Sequence, residues 1–154
     1  MSSAAEQLAA LGLTLPPVTA PAAAYVPAVR TGSYVYVSGQ LPVVDGKLPA
    51  TGKVGDAVSA QDAAGLARTC ALNALAAAAE AAGGLDAIVR IVKVLGFVAS
   101  APGFNGQPQV VNGASELLIE VFGEAGRHAR SAVGVAELPL DAPVEVELIA
   151  EVRA

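Results

Sequence analysis

The stretch GRHARSAVGVAELPLDAPVEVELIAEV, Gly126 to Val152, carries the pattern on which the fold depends. At its end, Val144, Val146, Leu148, Ala150 and Val152 share one parity, and Glu145, Glu147 and Glu151 share the other. Side chains alternate across a strand, so this run predicts a strand with one apolar and one acidic face. Before it, Ala129 to Leu138 reads as a second strand, with LPLDAP as the break between them. A sheet with one apolar face must be covered by another layer.

Working outward, the covering elements are legible. From Pro108, Val111, Ala114, Leu118 and Val121 recur at helical spacing until Gly123 and Gly126 stop them. AIVRIVKVLGFVAS, Ala87 to Ser100, is dense in β-branched residues and predicts a strand. A long alanine-rich helix is expected from Ser59 to Ala82, with Gly83 and Gly84 as its stop. Its inward stripe is expected to run through Leu66, Cys70 and Asn73, flanked by Leu72, Leu75 and Ala79. Tyr25 to Arg30 and Tyr34 to Ser38 form a hairpin about Thr31, Gly32 and Ser33. Ser3 and Glu6 make a capping box for a short first helix ending at Gly12, followed by a linker from Thr14 to Pro21. The reading is a short helix and linker over residues 1–16, then a single α+β domain over 17–154. That domain has two layers, a mostly antiparallel sheet with two helices on one face.

Composition narrows the function. Of 154 residues, 54% are hydrophobic and 15% charged, an apolar surplus that predicts packing against further copies of the chain. Arg90, Lys93 and glycines interrupt the apolar runs before they reach membrane-spanning length, and no secretory leader is legible, so a cytoplasmic protein without membrane contact is expected. A formal charge of −5 with scattered basic residues argues against nucleic acid. One cysteine, Cys70, and one histidine, His128, argue against a metal site, and no cofactor is implied. No P-loop, dinucleotide fingerprint or nucleophile elbow is present.

The residues able to carry chemistry cluster late. Arg130 alternates with Ala132, Gly134 and Ala136, leaving room above the sheet for a carboxylate against its planar fork; a surface ion pair accounts for it equally well. The acidic row of the last strand reads by itself as a solvated face. His128 lacks an evident nucleophile and is not taken as a base.

YVPAVRTGSYVYVSGQLP at Tyr25 to Pro42, NGASELLIEVFG from Asn112, and HARSAV with LPLDAPVEVELIAE together resemble the Rid/YjgF family of imine deaminases over residues from about 17 to the C-terminus. That resemblance implies a chorismate mutase-like fold, a homotrimer with sites between subunits, and hydrolysis of 2-imino or enamino acids to 2-keto acids and ammonia. Residue by residue, Arg130 matches the family's carboxylate-gripping arginine, and Glu145 the acid that activates water. Ser38 and Gly39 match backbone contacts to the ligand, and Tyr25 and Asn112 match further ligand-lining positions. Apart from the family match, Tyr25 also reads as a rim residue and Asn112 as a packing amide. Two positions depart: Ala132 stands where many members carry cysteine, and His128 where they carry proline.

Pairing the last two strands as a hairpin about Asp141 would set Arg130 opposite Val152 and Glu145 opposite Glu137, about seven positions or roughly 20 Å apart. Either the two then belong to a site shared by neighbouring subunits, which is the expectation, or one of them is misassigned. The competing readings are a trimeric carboxylate-binding protein without turnover and, less favoured by the charge, an endoribonuclease.

Overall fold

In a computed structural model, which describes residues 1–18, 21 and 23–154, the chain folds as helix α1 (Ala4–Ala10), strands β1 (Ala28–Thr31) and β2 (Tyr34–Gln40), helix α2 (Ala60–Ala82), strand β3 (Ile88–Ala99), helix α3 (Gln107–Phe122), and strands β4 (Ala129–Val135) and β5 (Val144–Val152). The linker expected over Thr14–Pro21 includes Thr19 and Ala20, which lie outside the described residues. Among the described residues the strands make one five-stranded sheet in the order β1-β2-β5-β3-β4. Pairings are antiparallel except β3 with β4, which run parallel and are joined through α3. The α+β class and the mostly antiparallel sheet expected from the sequence are therefore observed.

One expectation is overturned. β4 and β5 do not pair; β3 lies between them, with Val94 opposite Arg130 on one side and Phe97 opposite Glu145 on the other. The segment between β4 and β5 is no hairpin turn. Pro139–Asp141 forms a 3-10 turn with Leu140 and Asp141 both at φ 59°, and it carries the chain past the end of β3. Local alternation predicts strands but says nothing of partners, and a parallel neighbour requires only a crossover helix, which α3 supplies.

The helix limits follow the caps read from the sequence. Ser59 accepts from the Asp62 backbone N–H at 3.1 Å, and Gly83, at φ 89°, ends α2 in the left-handed conformation that glycine adopts without Cβ strain. In α1, Ser3 and Glu6 complete a capping box, and Leu8, 4% exposed, joins the main core.

The buried face of α2 is shifted from the expected stripe. It centres on Ala63, Ala67, Cys70, Ala71, Ala74, Leu75 and Ala78, leaving Leu66 and Leu72 at its margins. The reason is the closeness of α3. A Cβ on Gly113 would collide with the Ala64 carbonyl, so only small side chains fit where these helices meet. Beneath them lie Val35, Ile91, Val94, Val98, Val144, Val146 and Leu148, all buried. Each such burial is worth about 1.5–3 kcal/mol before entropy is counted.

The other sheet face is open. It carries Val29, Tyr34, Tyr36 and Val133, each more than two-fifths exposed, beside half-buried Leu95, Phe97 and Ile149.

Candidate functional site

Glu145 sits on that open face, because β5 alternates strictly and Val144 and Val146 are buried in the core. Its neighbour is a β-bulge in β2. Val37 pairs with Leu148 and Gln40 with Val146, so Ser38 and Gly39 interrupt the ladder beside Glu145. A Cβ on Gly39 would lie 2.8 Å from the Glu145 carboxyl carbon; the glycine is what admits the carboxylate to this position. Ser38 fastens the bulge, its hydroxyl donating to the Val26 carbonyl at 2.6 Å and its N–H to the Pro27 carbonyl at 2.9 Å. Tyr25 stands next to Val26 on a bend before β1, 56% exposed, outside the strand that was expected to contain it. Burial, then the neighbouring charge of Glu147, raise the Glu145 pKa above its ordinary 4.5. A carboxylate so placed holds its proton more firmly and is a stronger base when it loses it.

Arg130 belongs to the other face. Its registered neighbour Val94 is fully buried in the core, and the arginine reaches along α3 at the sheet edge. One terminal nitrogen, Nη1, donates to Asn112 Oδ1 at 2.7 Å and to Ser115 Oγ at 3.2 Å, while Nη2 donates to the Pro108 carbonyl at 3.4 Å. A guanidinium has five N–H groups, so these three contacts leave Nε–H and one hydrogen of Nη2 without a bond among the described residues. A carboxylate can be held bidentately along the Nε–Nη2 edge of such a fork. No acidic side chain forms a salt bridge with Arg130 among the described residues.

The small residues beyond Arg130 do not leave empty space, as their size had suggested. Ala132 packs against the core, and a Cβ on Gly134 would meet the Gln107 amide nitrogen at 2.8 Å and Ser100 Oγ at 3.0 Å. Small side chains here let the first turn of α3 sit close to β4, bringing Pro108 and Asn112 to the arginine.

The sequence-predicted residues thus form two groups. Ser38, Gly39 and Glu145, with Tyr25 at the approach, occupy the open face; Arg130, Asn112 and Ala132 occupy the α3 side of β4. From Arg130 to Glu145 is two strand spacings across and three residues along, about 14 Å between backbones, with the side chains on opposite faces. The earlier figure of roughly 20 Å rested on the absent hairpin, but the separation of the two residues within one chain does not depend on it.

Sequence reading passed over Ser115 as a functional position. It lies three residues after Asn112 on α3, a spacing that puts both on one helix face, so the signal was present. His128 precedes Arg130 by two residues and bonds to the same serine, 2.8 Å from Nε2 to Oγ. Cys70 is buried, and its thiol pKa is raised well above the ordinary value, first by burial, so it is not a nucleophile. The described residues include no group of three or more His, Cys, Asp or Glu side chains gathered as metal ligands.

Comparison with known proteins agrees with this architecture. A family described as "YjgF/chorismate mutase-like, putative endoribonuclease" matches residues 5–152, so the chain belongs to the YjgF/chorismate mutase-like family. It is similar to Protein TCP17 of Trypanosoma cruzi, at 46% identity over 97% of this chain and 94% of that one. Among solved structures it resembles a Shewanella oneidensis protein named as a "putative endoribonuclease", with 35% identity, a TM-score of 0.94, and 98% of this chain and 100% of that one covered. It also resembles TdcF of Escherichia coli with bound serine, with 31% identity, a TM-score of 0.64, and 91% and 98% covered. No helix among the described residues is long and apolar enough to cross a membrane.

Proposed function

We propose that the protein is a cofactor-free hydrolase of reactive 2-imino and enamino acids, acting at sites shared between neighbouring subunits of a homotrimer. The observation that carries this is a pair of groups: an arginine with no acidic partner among the described residues and a half-buried carboxylate, about 14 Å apart on opposite sheet faces. Neither alone makes a site for a small imino acid, and a second copy can supply the missing half. The apolar open face gives such copies a surface to bury.

Arg130 holds the substrate carboxylate through its Nε–Nη2 edge, with Asn112 and Ser115 fixing the other side of the fork. Glu145 of the adjoining copy takes a proton from water as the oxygen attacks the C=N carbon. Glu145 then returns that proton to the amine of the resulting carbinolamine, and as the hydroxyl gives up its proton to solvent the C–N bond breaks, releasing ammonia and the 2-keto acid. Ser38, Gly39 and the Ala132 backbone border the reacting carbon, and Tyr25 lines the rim. A relative of 31% identity, TdcF, holds serine, a small amino acid whose carboxylate suits such a grip.

The test is release of 2-keto acid from imines generated in place by an amino-acid dehydratase. The expected result is a rate well above solvent hydrolysis. Well-folded protein that adds nothing to the solvent rate overturns the hydrolase. A second reading, a carboxylate-binding protein without turnover, is favoured by Ala132, which provides no thiol. 2-Ketobutyrate binding that is lost in Arg130→Met, with no hydrolysis by the native protein, would select it. The net charge of −5 opposes an RNA substrate.

A further inference from the structure

His128 is the only histidine of the chain, and it is bonded through both ring nitrogens. Nδ1 lies 2.6 Å from the Gly126 carbonyl. A carbonyl oxygen only accepts, so Nδ1 carries the hydrogen. In the neutral ring Nε2 is then an acceptor, and the group it faces at 2.8 Å is the Ser115 hydroxyl, which donates to it. With its hydrogen committed to the ring, Ser115 presents lone pairs to Arg130 Nη1 at 3.2 Å. The hydrogen bonds therefore run in one direction, from Arg130 to Ser115 to His128, while the ring itself is anchored on Gly126.

We propose that His128, acting through Ser115, is a positioning residue that fixes the rotation of the Arg130 guanidinium and turns its Nε–Nη2 edge outward. This rests on the reading of Arg130 as the carboxylate grip. Ser115 is a helix residue, 9% exposed. Without an acceptor at Nε2, its hydroxyl turns back to a carbonyl of its own helix, as buried helical serines do. Arg130 would then keep the Asn112 contact and the long 3.4 Å contact to Pro108, and its fork could swing about them. Burial, and after it the charge of Arg130, lower the His128 pKa against the opposing bond to Gly126, which favours the neutral ring. Other charges nearby are engaged elsewhere: Arg127 pairs with Glu124 at 3.0 Å, and Arg90 donates to the Arg127 carbonyl.

The test uses the full-length protein and 2-ketobutyrate as the probe. Because the chain has a single histidine, ring 15N resonances report its tautomer without ambiguity; at pH 7.5 the Nδ1–H form is expected. His128→Gln, whose side-chain oxygen can stand in for Nε2, should bind 2-ketobutyrate within about threefold of the native protein. His128→Leu, shown to be folded by its circular dichroism and melting, should bind about tenfold more weakly, the effect of one lost hydrogen bond. Native-like affinity in His128→Leu, or an Nε2–H tautomer in the native protein, overturns the proposal. Arg130→Met separates the two layers. If it binds 2-ketobutyrate like the native protein, the carboxylate grip itself is wrong; if it alone loses binding, only the role of His128 is.

Discussion

Arg130 and Glu145 show how differently two charged residues can be used by one sheet. The arginine has three of its five N–H groups occupied by α3, while the carboxylate sits against a glycine where its ionised form is disfavoured. With a raised pKa, the proton is bound more tightly in the folded chain than in the unfolded one. Its contribution to stability is thus present on the acid side and is lost as pH rises through the folded value. For water activation the sign is opposite, since only the ionised carboxylate is a base. Imine hydrolysis should therefore decline, as pH falls, at a pH above the usual carboxylate range. Glu145→Gln is expected to lower kcat by about 10²–10⁴-fold while 2-ketobutyrate still binds. A pH-rate profile and calorimetry check both halves, and a variant retaining native kcat would remove Glu145 from the chemistry. At this scale the sequence was informative because parity is local: Glu145 and Arg130 could be placed on strands. That Gly39 makes room for one, and Asn112 and Ser115 bond the other, depends on residues brought from elsewhere in the chain.

The elements were legible wherever a cap or a strict period marked them, as in α2 between Ser59 and Gly83 and in the alternation of β5. Their faces and partners were less so. The inward stripe of α2 settles on alanines because α3 approaches at Gly113, a closeness invisible in the periodicity of either helix. This predicts a contrast between two glycines. Gly113→Ala drives a methyl group into the Ala64 carbonyl and should destabilise the fold by about 1–3 kcal/mol or more. Gly65→Ala, with open space around it on α2, should be neutral or stabilising by up to about 1 kcal/mol, from helix propensity. Urea unfolding of the two variants measures the difference; equal effects would mean that the helices are not in backbone contact there. The pairing of β4 with β3 belongs to the same scale. β3 is a 12-residue strand with two edges to offer, and nothing in the spacing of β4 says which edge it takes.

At the scale of the whole molecule, the proposed hydrolase draws each working site from two copies of the chain. If each working site joins Arg130 of one subunit to Glu145 of the next, two inactive variants should rescue one another. Arg130→Met and Glu145→Gln, unfolded together and refolded as a mixture, are expected to recover about a quarter of the native activity, the chance share of junctions with both residues intact. No recovery in mixed trimers would place both residues in one chain's site. The apolar surplus in the composition pointed to such assembly before any face was located, and the open face with Val29, Tyr36, Leu95 and Phe97 is where that surplus lies.

Most secondary elements, the two-layer class, the family resemblance and the strand positions of the charged residues could be read from the amino-acid order alone. All of these follow from local periods, caps and short motifs, which act over a few residues. The separation of β4 from β5 by β3, the alanines lining the helix contact, and the opposite facing of Arg130 and Glu145 emerge only in the folded chain. Those outcomes come from the competition of distant segments for the same space, a matter of packing between elements that no local pattern encodes.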